Sequence, residues 1–171
     1  MKRTGGVLAL ALAMSLAACG GPTGSPTAPA ARSASPVVFS ADLGSGLPAG
    51  DPEATCKGRV TITLDPTRRP PLDRLTAKFE VALNSCPAST RITEAHVHAG
   101  PAGVAGAGIR MDALLGTFDL VNGAGATTTT NAGIEPRTLE EIAVDPGGFH
   151  FHVHSERHPN GFLRGQLRAG G

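Results

Sequence analysis

Five of the six histidines fall in two short segments, His96 and His98 in Ala95-His96-Val97-His98, and His150, His152 and His154 in Phe149-His150-Phe151-His152-Val153-His154. A neutral imidazole offers a ring nitrogen to zinc or copper. In extended backbone, His-x-His spacing puts both rings on one face, about 6.6 Å apart, where they can lean toward one ion held at about 2.0–2.1 Å. One such pair is a weak signal, but two on neighbouring strands would bring three or four nitrogens together. The candidate ligands are His96, His98, His152 and His154, with His150 as a further one, and the ion is copper or zinc. The competing reading is structural, because histidines tolerate strand faces and donate hydrogen bonds to loops without binding anything. His158, just before Pro159, reads as a turn residue. Without metal, crowded imidazoles repel one another's charged forms, so their folded-state pKa values should fall and stability should drop below about pH 6.5.

The cysteines carry the second chemistry. Met1-Lys2-Arg3 precedes an apolar run from Val7 to Leu12 that continues through Met14 and Leu16 and ends in Leu16-Ala17-Ala18-Cys19. The basic start and short apolar stretch predict an export signal over residues 1–18, well short of the roughly 20 residues of a permanent span. The ending resembles the lipobox of bacterial lipoproteins, which implies that the Cys19 thiol carries a lipid and becomes the new N-terminus. Ordinary secretory cleavage after Ala18 would instead leave a lone thiol in an oxidising compartment. With Cys19 lipidated, Cys56 and Cys86 remain as an even pair, which predicts a disulfide, two buried free thiols being the other reading.

The elements that must position these groups are legible as short alternating runs. From Cys19 through Pro36 the chain is rich in Gly, Pro, Ser, Thr and Ala. It predicts a tether without a core, able to hold a domain up to roughly 50 Å from a membrane. Residues 37–171 have the size of one domain. Strands are expected at Val37–Leu43, Arg59–Leu64, Leu75–Leu83, Ile92–Ala99, Ile109–Val121 with a break near Gly116, Phe149–His154 and Phe162–Leu167, the last two joined by Pro159-Asn160-Gly161. A short helix is expected at Thr138–Ile142, with Thr138 and Glu141 as a capping box. Gly100–Gly106 imitates collagen triplets but is too short for anything except a loop. The pattern predicts an all-β fold, an antiparallel sandwich or barrel of about 7–8 strands with one short helix. Apolar Phe149, Phe151 and Val153 alternate with the histidines, so the imidazoles should face away from the core.

Composition excludes several classes. Loss of Lys2 and Arg3 from the 15 basic residues leaves 13 against 14 acidic ones, so nothing favours a nucleic acid. The absence of Trp and Tyr argues against sugar platforms and base stacking. No Gly-x-Ser-x-Gly elbow marks a hydrolase.

Three stretches resemble the CHRD domain, a family named after repeats in chordin and present in bacterial secreted proteins. They are Phe39-Ser40-Ala41-Asp42-Leu43 with Gly58-Arg59-Val60; Thr93 to Gly100, similar to an Ala-His-Ile-His-x-Gly signature; and His150 to His154 with Pro159 to Leu167, similar to Tyr-Val-Asn-Val-His and Pro-x-Gly-Glu-Ile-Arg-Gly-Gln-Leu. His150 and His152 stand where the family has Tyr and Asn, and Phe162 where it has Glu, which removes a charge partner for Arg164. The resemblance covers roughly residues 37–168 and implies an immunoglobulin-like or superoxide dismutase-like β domain without a settled activity. The leading expectation is a non-catalytic module, lipid-anchored through Cys19 on the extracytoplasmic side of the cell envelope and serving an unidentified protein or envelope partner. A copper- or zinc-binding protein is the alternative. A superoxide dismutase-like enzyme is a distant third: Gly148 to His152 resembles the dismutase Gly-Phe-His-Val-His, but it comes late in the chain and no His-rich zinc loop follows.

Overall fold

Val60, Ile62 and Leu64 point to one side of their strand and are fully buried, and the same period-two rule builds the whole interior. The computed structural model describes residues 35–69, 73–104, 108–113 and 115–170. In it the strands are β1 (Val37–Ser45), β2 (Lys57–Arg69), β3 (Arg74–Asn84), β4 (Arg91–Ala99), β5 (Ile109–Asp112), β6 (Phe118–Asp119), β7 (Gly125–Ile134), β8 (Phe149–Ser155), β9 (Leu163–Gln166) and β10 (Arg168–Ala169). They pair antiparallel in the order β5-β4-β8-β9-β1-β2-β3-β7, with β10 also on β1 and β6 also on β4. Phe39, Phe79, Phe151 and Phe162 are the largest of the fully buried side chains, and the Phe79 and Phe151 rings lie 6.3 Å apart across the interior.

The eight-stranded path curls until its two edges meet. Thr129 on β7 donates its hydroxyl to the carbonyl of Ala113 just beyond β5, and Asn131 Nδ2 donates to the Asp112 carbonyl at 2.9 Å. The fold is therefore a nearly closed antiparallel barrel, its last seam joined by side chains rather than by a backbone ladder. Strand β7 has no counterpart in the sequence reading. Its run Thr127–Thr130 puts threonine on both faces, so no apolar alternation announces it, yet β-branched side chains suit extended backbone and the strand pairs along β3 from Leu83↔Gly125 to Leu75↔Ile134. The expected segment Ile109–Val121 divides into β5 and β6, with Gly116 at φ +63 between them.

Helix α1 (Pro136–Val144) starts earlier than the expected capping box. Pro136 supplies the first turn with a fixed φ and needs no donor there, Glu135 makes no side-chain cap, and Thr138 is buried. Thr138 and Ile142, one turn apart, form the buried face. Pro146 ends the helix as expected.

Cys56 and Cys86 are bonded to each other. The bridge staples the chain just before β2 to the chain just after β3, at the open end of that hairpin. Gly123, at φ +74, packs so closely that a Cβ there would lie 1.9 Å from the Cys86 carbonyl oxygen. Such a bond belongs to an oxidising, extracytoplasmic setting. The predicted export signal, Cys19 and the tether as far as residue 34 lie outside the described residues. Among the described residues no helix is long and apolar enough to cross a membrane.

Reduction of the bridge, or the paired substitution C56S/C86S, should lower unfolding free energy by roughly 3–4 kcal/mol on the loop-closure model. Urea melts with and without reductant measure it, and coincident curves would show that the bridge contributes nothing.

Candidate metal centre

Strands β4 and β8 are hydrogen-bonded neighbours, and their register sets His96 opposite His152 and His98 opposite His150. The two His-x-His segments thereby share one patch of sheet. Ring centroids of His96 lie 4.6 Å from both His98 and His154, and those of His152 and His154 lie 4.5 Å apart. One nitrogen from each of His96, His98, His152 and His154 falls within 4.8 Å of every other. A tetrahedral ion with bonds of about 2.0–2.1 Å needs nitrogens about 3.3–3.4 Å apart, so modest side-chain rotation closes the set.

The patch faces away from the apolar core, as alternation requires, but it is not a solvent face. His96, His150, His152 and His154 are only 6, 2, 5 and 6% exposed, and His98 is half-buried. Two loops cover them. The loop after β4 brings the Gly100 carbonyl to His150 Nδ1 at 2.9 Å and is held to β9 by the Ala102 amide, which donates to Gln166 Oε1 at 2.8 Å. The turn between β8 and β9 brings the Pro159 carbonyl to His154 Nδ1 at 2.8 Å. Gly161, at φ +87, lies flat on His152, where a Cβ would fall 1.7 Å from Nε2.

These contacts fix the protons. A carbonyl only accepts, so His154 carries its proton on Nδ1 and its lone pair on Nε2, and that Nε2 is buried with no hydrogen-bond partner. His96 Nδ1 is likewise buried without a partner. Unsatisfied buried nitrogens are costly, and a ring oriented by a backbone carbonyl with its other nitrogen bare is how a metal ligand is commonly held. Arg164, opposite His152 in the β8–β9 register, donates from Nε to His152 Nε2 at 3.0 Å, so an ion that takes this lone pair displaces the guanidinium from it. His150 spends Nδ1 on Gly100 and lies outside the set of four, stacked on His98 at 5.3 Å. The four residues suit copper or zinc, which accept all-imidazole donor sets.

His158 is more than a turn residue. Its Nε2 lies 3.2 Å from Asp51 Oδ1 and 3.7 Å from Glu53 Oε2, and Ser155 Oγ donates to the same buried Glu53 at 2.6 Å. The cluster ties the 3-10 turn Pro52–Thr55 to the end of β8. Nothing local in the sequence marks partners so distant, whereas Arg164 could have been placed beside His152 by counting back through the Pro159–Gly161 turn.

Burial is the first cause that holds His96 and His152 neutral, with repulsion from neighbouring groups second. His96 is pushed down to about 4 by burial and then by His154 and His98, and His152 to about 3 by burial and then by Arg164 and His154. His150 is lowered too, again chiefly by burial. The expected direction holds, but the sequence reading named only the repulsion. Unfolded rings take up protons below 6.5, while these folded rings resist down to about 4 and about 3. Stability is therefore complete above pH 6.5 and is lost as pH falls through that window. In chelator, the melting temperature should fall by on the order of 5–10 °C between pH 8 and pH 5. A flat profile would contradict neutral burial.

The paired His96-Val97-His98 and His150 to His154 segments and the Pro159–Leu167 hairpin all fall within the one stretch that a known family matches. The CHRD domain model matches residues 39–167. No curated protein and no solved structure shows significant similarity to the chain. From the first core phenylalanine, Phe39, to Leu167 of the closing hairpin, the chain belongs to the CHRD domain family.

Proposed function

We propose that this protein is a non-catalytic, lipid-anchored module on the extracytoplasmic side of the cell envelope that binds one copper or zinc ion through His96, His98, His152 and His154. The observation that carries the reading is the convergence of four ring nitrogens within 4.8 Å on a covered sheet face, two of the rings presenting a buried nitrogen with no hydrogen-bond partner. The disulfide supports an oxidising compartment. Residues 1–18 act as the export signal, Cys19 bears the lipid that fixes the chain to a membrane, and the Pro-rich segment to Pro36 spaces the barrel from it. A binding or envelope role through an unidentified protein partner, without metal, is the second reading. It draws on the hydrogen bonds that Pro159, Gly100 and Arg164 make to the rings, which give those rings a structural role. A dismutase-like enzyme would need copper beside zinc, and among the described residues a single cluster meets the ligand geometry.

Metal analysis of the chain purified from the envelope should find about one copper or zinc per molecule, and H96Q/H98Q should remove it. Because those rings are buried, the wild-type chain supplies an independent readout. Each tenfold excess of metal over its dissociation constant should add about 1.4 kcal/mol of stability, reversed by chelator. A metal-free chain whose melting ignores added copper and zinc would leave the partner-binding reading. Cys19→Ala should release the protein from the membrane fraction, and retention there would defeat the anchor.

A further inference from the structure

The four rings do not seal the site. They open onto a cavity of about 350 Å³ whose wall comprises the five histidines, Arg164 and the loop residues Val104, Pro159 and Asn160. An ion held at about 2.0–2.1 Å from its nitrogens fills a small part of that space. Among the described residues the wall contains no carboxylate. Glu94, whose Oε1 lies 3.7 Å from His154 Nδ1, and Asp112, opposite His96 in the β4–β5 register, are exposed at the edge of the patch. A divalent ion on neutral imidazoles beside the Arg164 guanidinium would thus concentrate positive charge in a half-enclosed space lined by no anionic group. Such a space draws a counter-charge.

Arg164 is placed to receive it. Of its five N–H donors the framework takes one at His152 Nε2 and one, at 3.4 Å, at the Ala102 carbonyl. If the ion takes the His152 Nε2 lone pair, the Arg164 Nε–H loses its acceptor and needs another inside the cavity.

The geometry points to a small inorganic anion as the second ligand of this centre, bound between the metal ion and the Arg164 guanidinium. This rests on the metal-binding reading of the same four histidines. The anion supplies a metal ligand on one side and accepts the guanidinium N–H bonds on the other, so metal and anion bind cooperatively.

Azide is a suitable probe, since its binding to copper(II) produces a charge-transfer absorption band. The full chain in detergent is loaded with copper(II), its copper content is measured, and azide is titrated while the spectrum is followed. Saturable binding is expected at one azide per copper. Arg164→Met should retain copper and weaken azide by roughly tenfold or more, the loss of a charge-assisted contact. Arg164→Lys, which keeps the charge but loses the planar fork of donors, should weaken azide by roughly threefold or more and serves as the test should the methionine variant fail to fold. Copper bound without any azide response, or equal azide affinity in wild type, R164M and R164K, overturns the anion site and leaves the metal site standing. A chain that takes up no copper overturns both.

Discussion

A row of imidazoles kept neutral under a roof of loops is the constraint around which this barrel is arranged. Burying an ionised ring without a counter-charge is costly, so His96, His150 and His152 are held in the fold as neutral bases, each with one nitrogen protonated and one bare. Backbone carbonyls of Gly100 and Pro159 accept hydrogen bonds from Nδ1 of His150 and His154, and the Arg164 guanidinium donates to the bare nitrogen of His152. What the loops leave over, His154 Nε2 and His96 Nδ1, is the part of the patch that calls for something more.

The barrel delivers that patch by pairing order. Only because β8 lies between β4 and β9 do the two His-x-His segments and Arg164 stand in a row across three strands. The apolar side of the same three strands, with Ala95, Val97, Phe151, Val153 and Leu163, is fully buried, so the rings cannot turn inward without displacing the core. The roof depends on residues that tolerate close approach. Gly161 is at positive φ and has no room for a side chain against His152.

Most of this order is written in local patterns, and the exceptions have physical causes. Alternation of apolar residues gave β1 to β4, β8 and β9, because one face of each is buried and the period is visible. It failed for β7, where Thr127 to Thr130 make both faces alike, and it missed the true start of α1, because Pro136 rather than the Thr138 hydroxyl opens the helix. The candidate ligands were legible from His-x-His spacing. Their burial was not, since the covering residues Gly100, Ala102 and Pro159 read simply as loop. The partnership of His158 with Asp51 and Glu53 joins residues more than a hundred positions apart and leaves no local trace.

The β5–β7 junction gives the barrel an unequal rim. Everywhere else around the path, neighbouring strands are joined by backbone ladders, whereas here a hydroxyl and an amide reach across to two carbonyls. Among the described residues parting this line costs two side-chain bonds, so thermal breathing concentrates along it. The line lies two strands from β8, with only β5 and β4 between. The molecule can thus loosen along this line while the disulfide-stapled β2–β3 hairpin, reached across β7 alone, stays shut, so softness and rigidity lie close together in one continuous sheet.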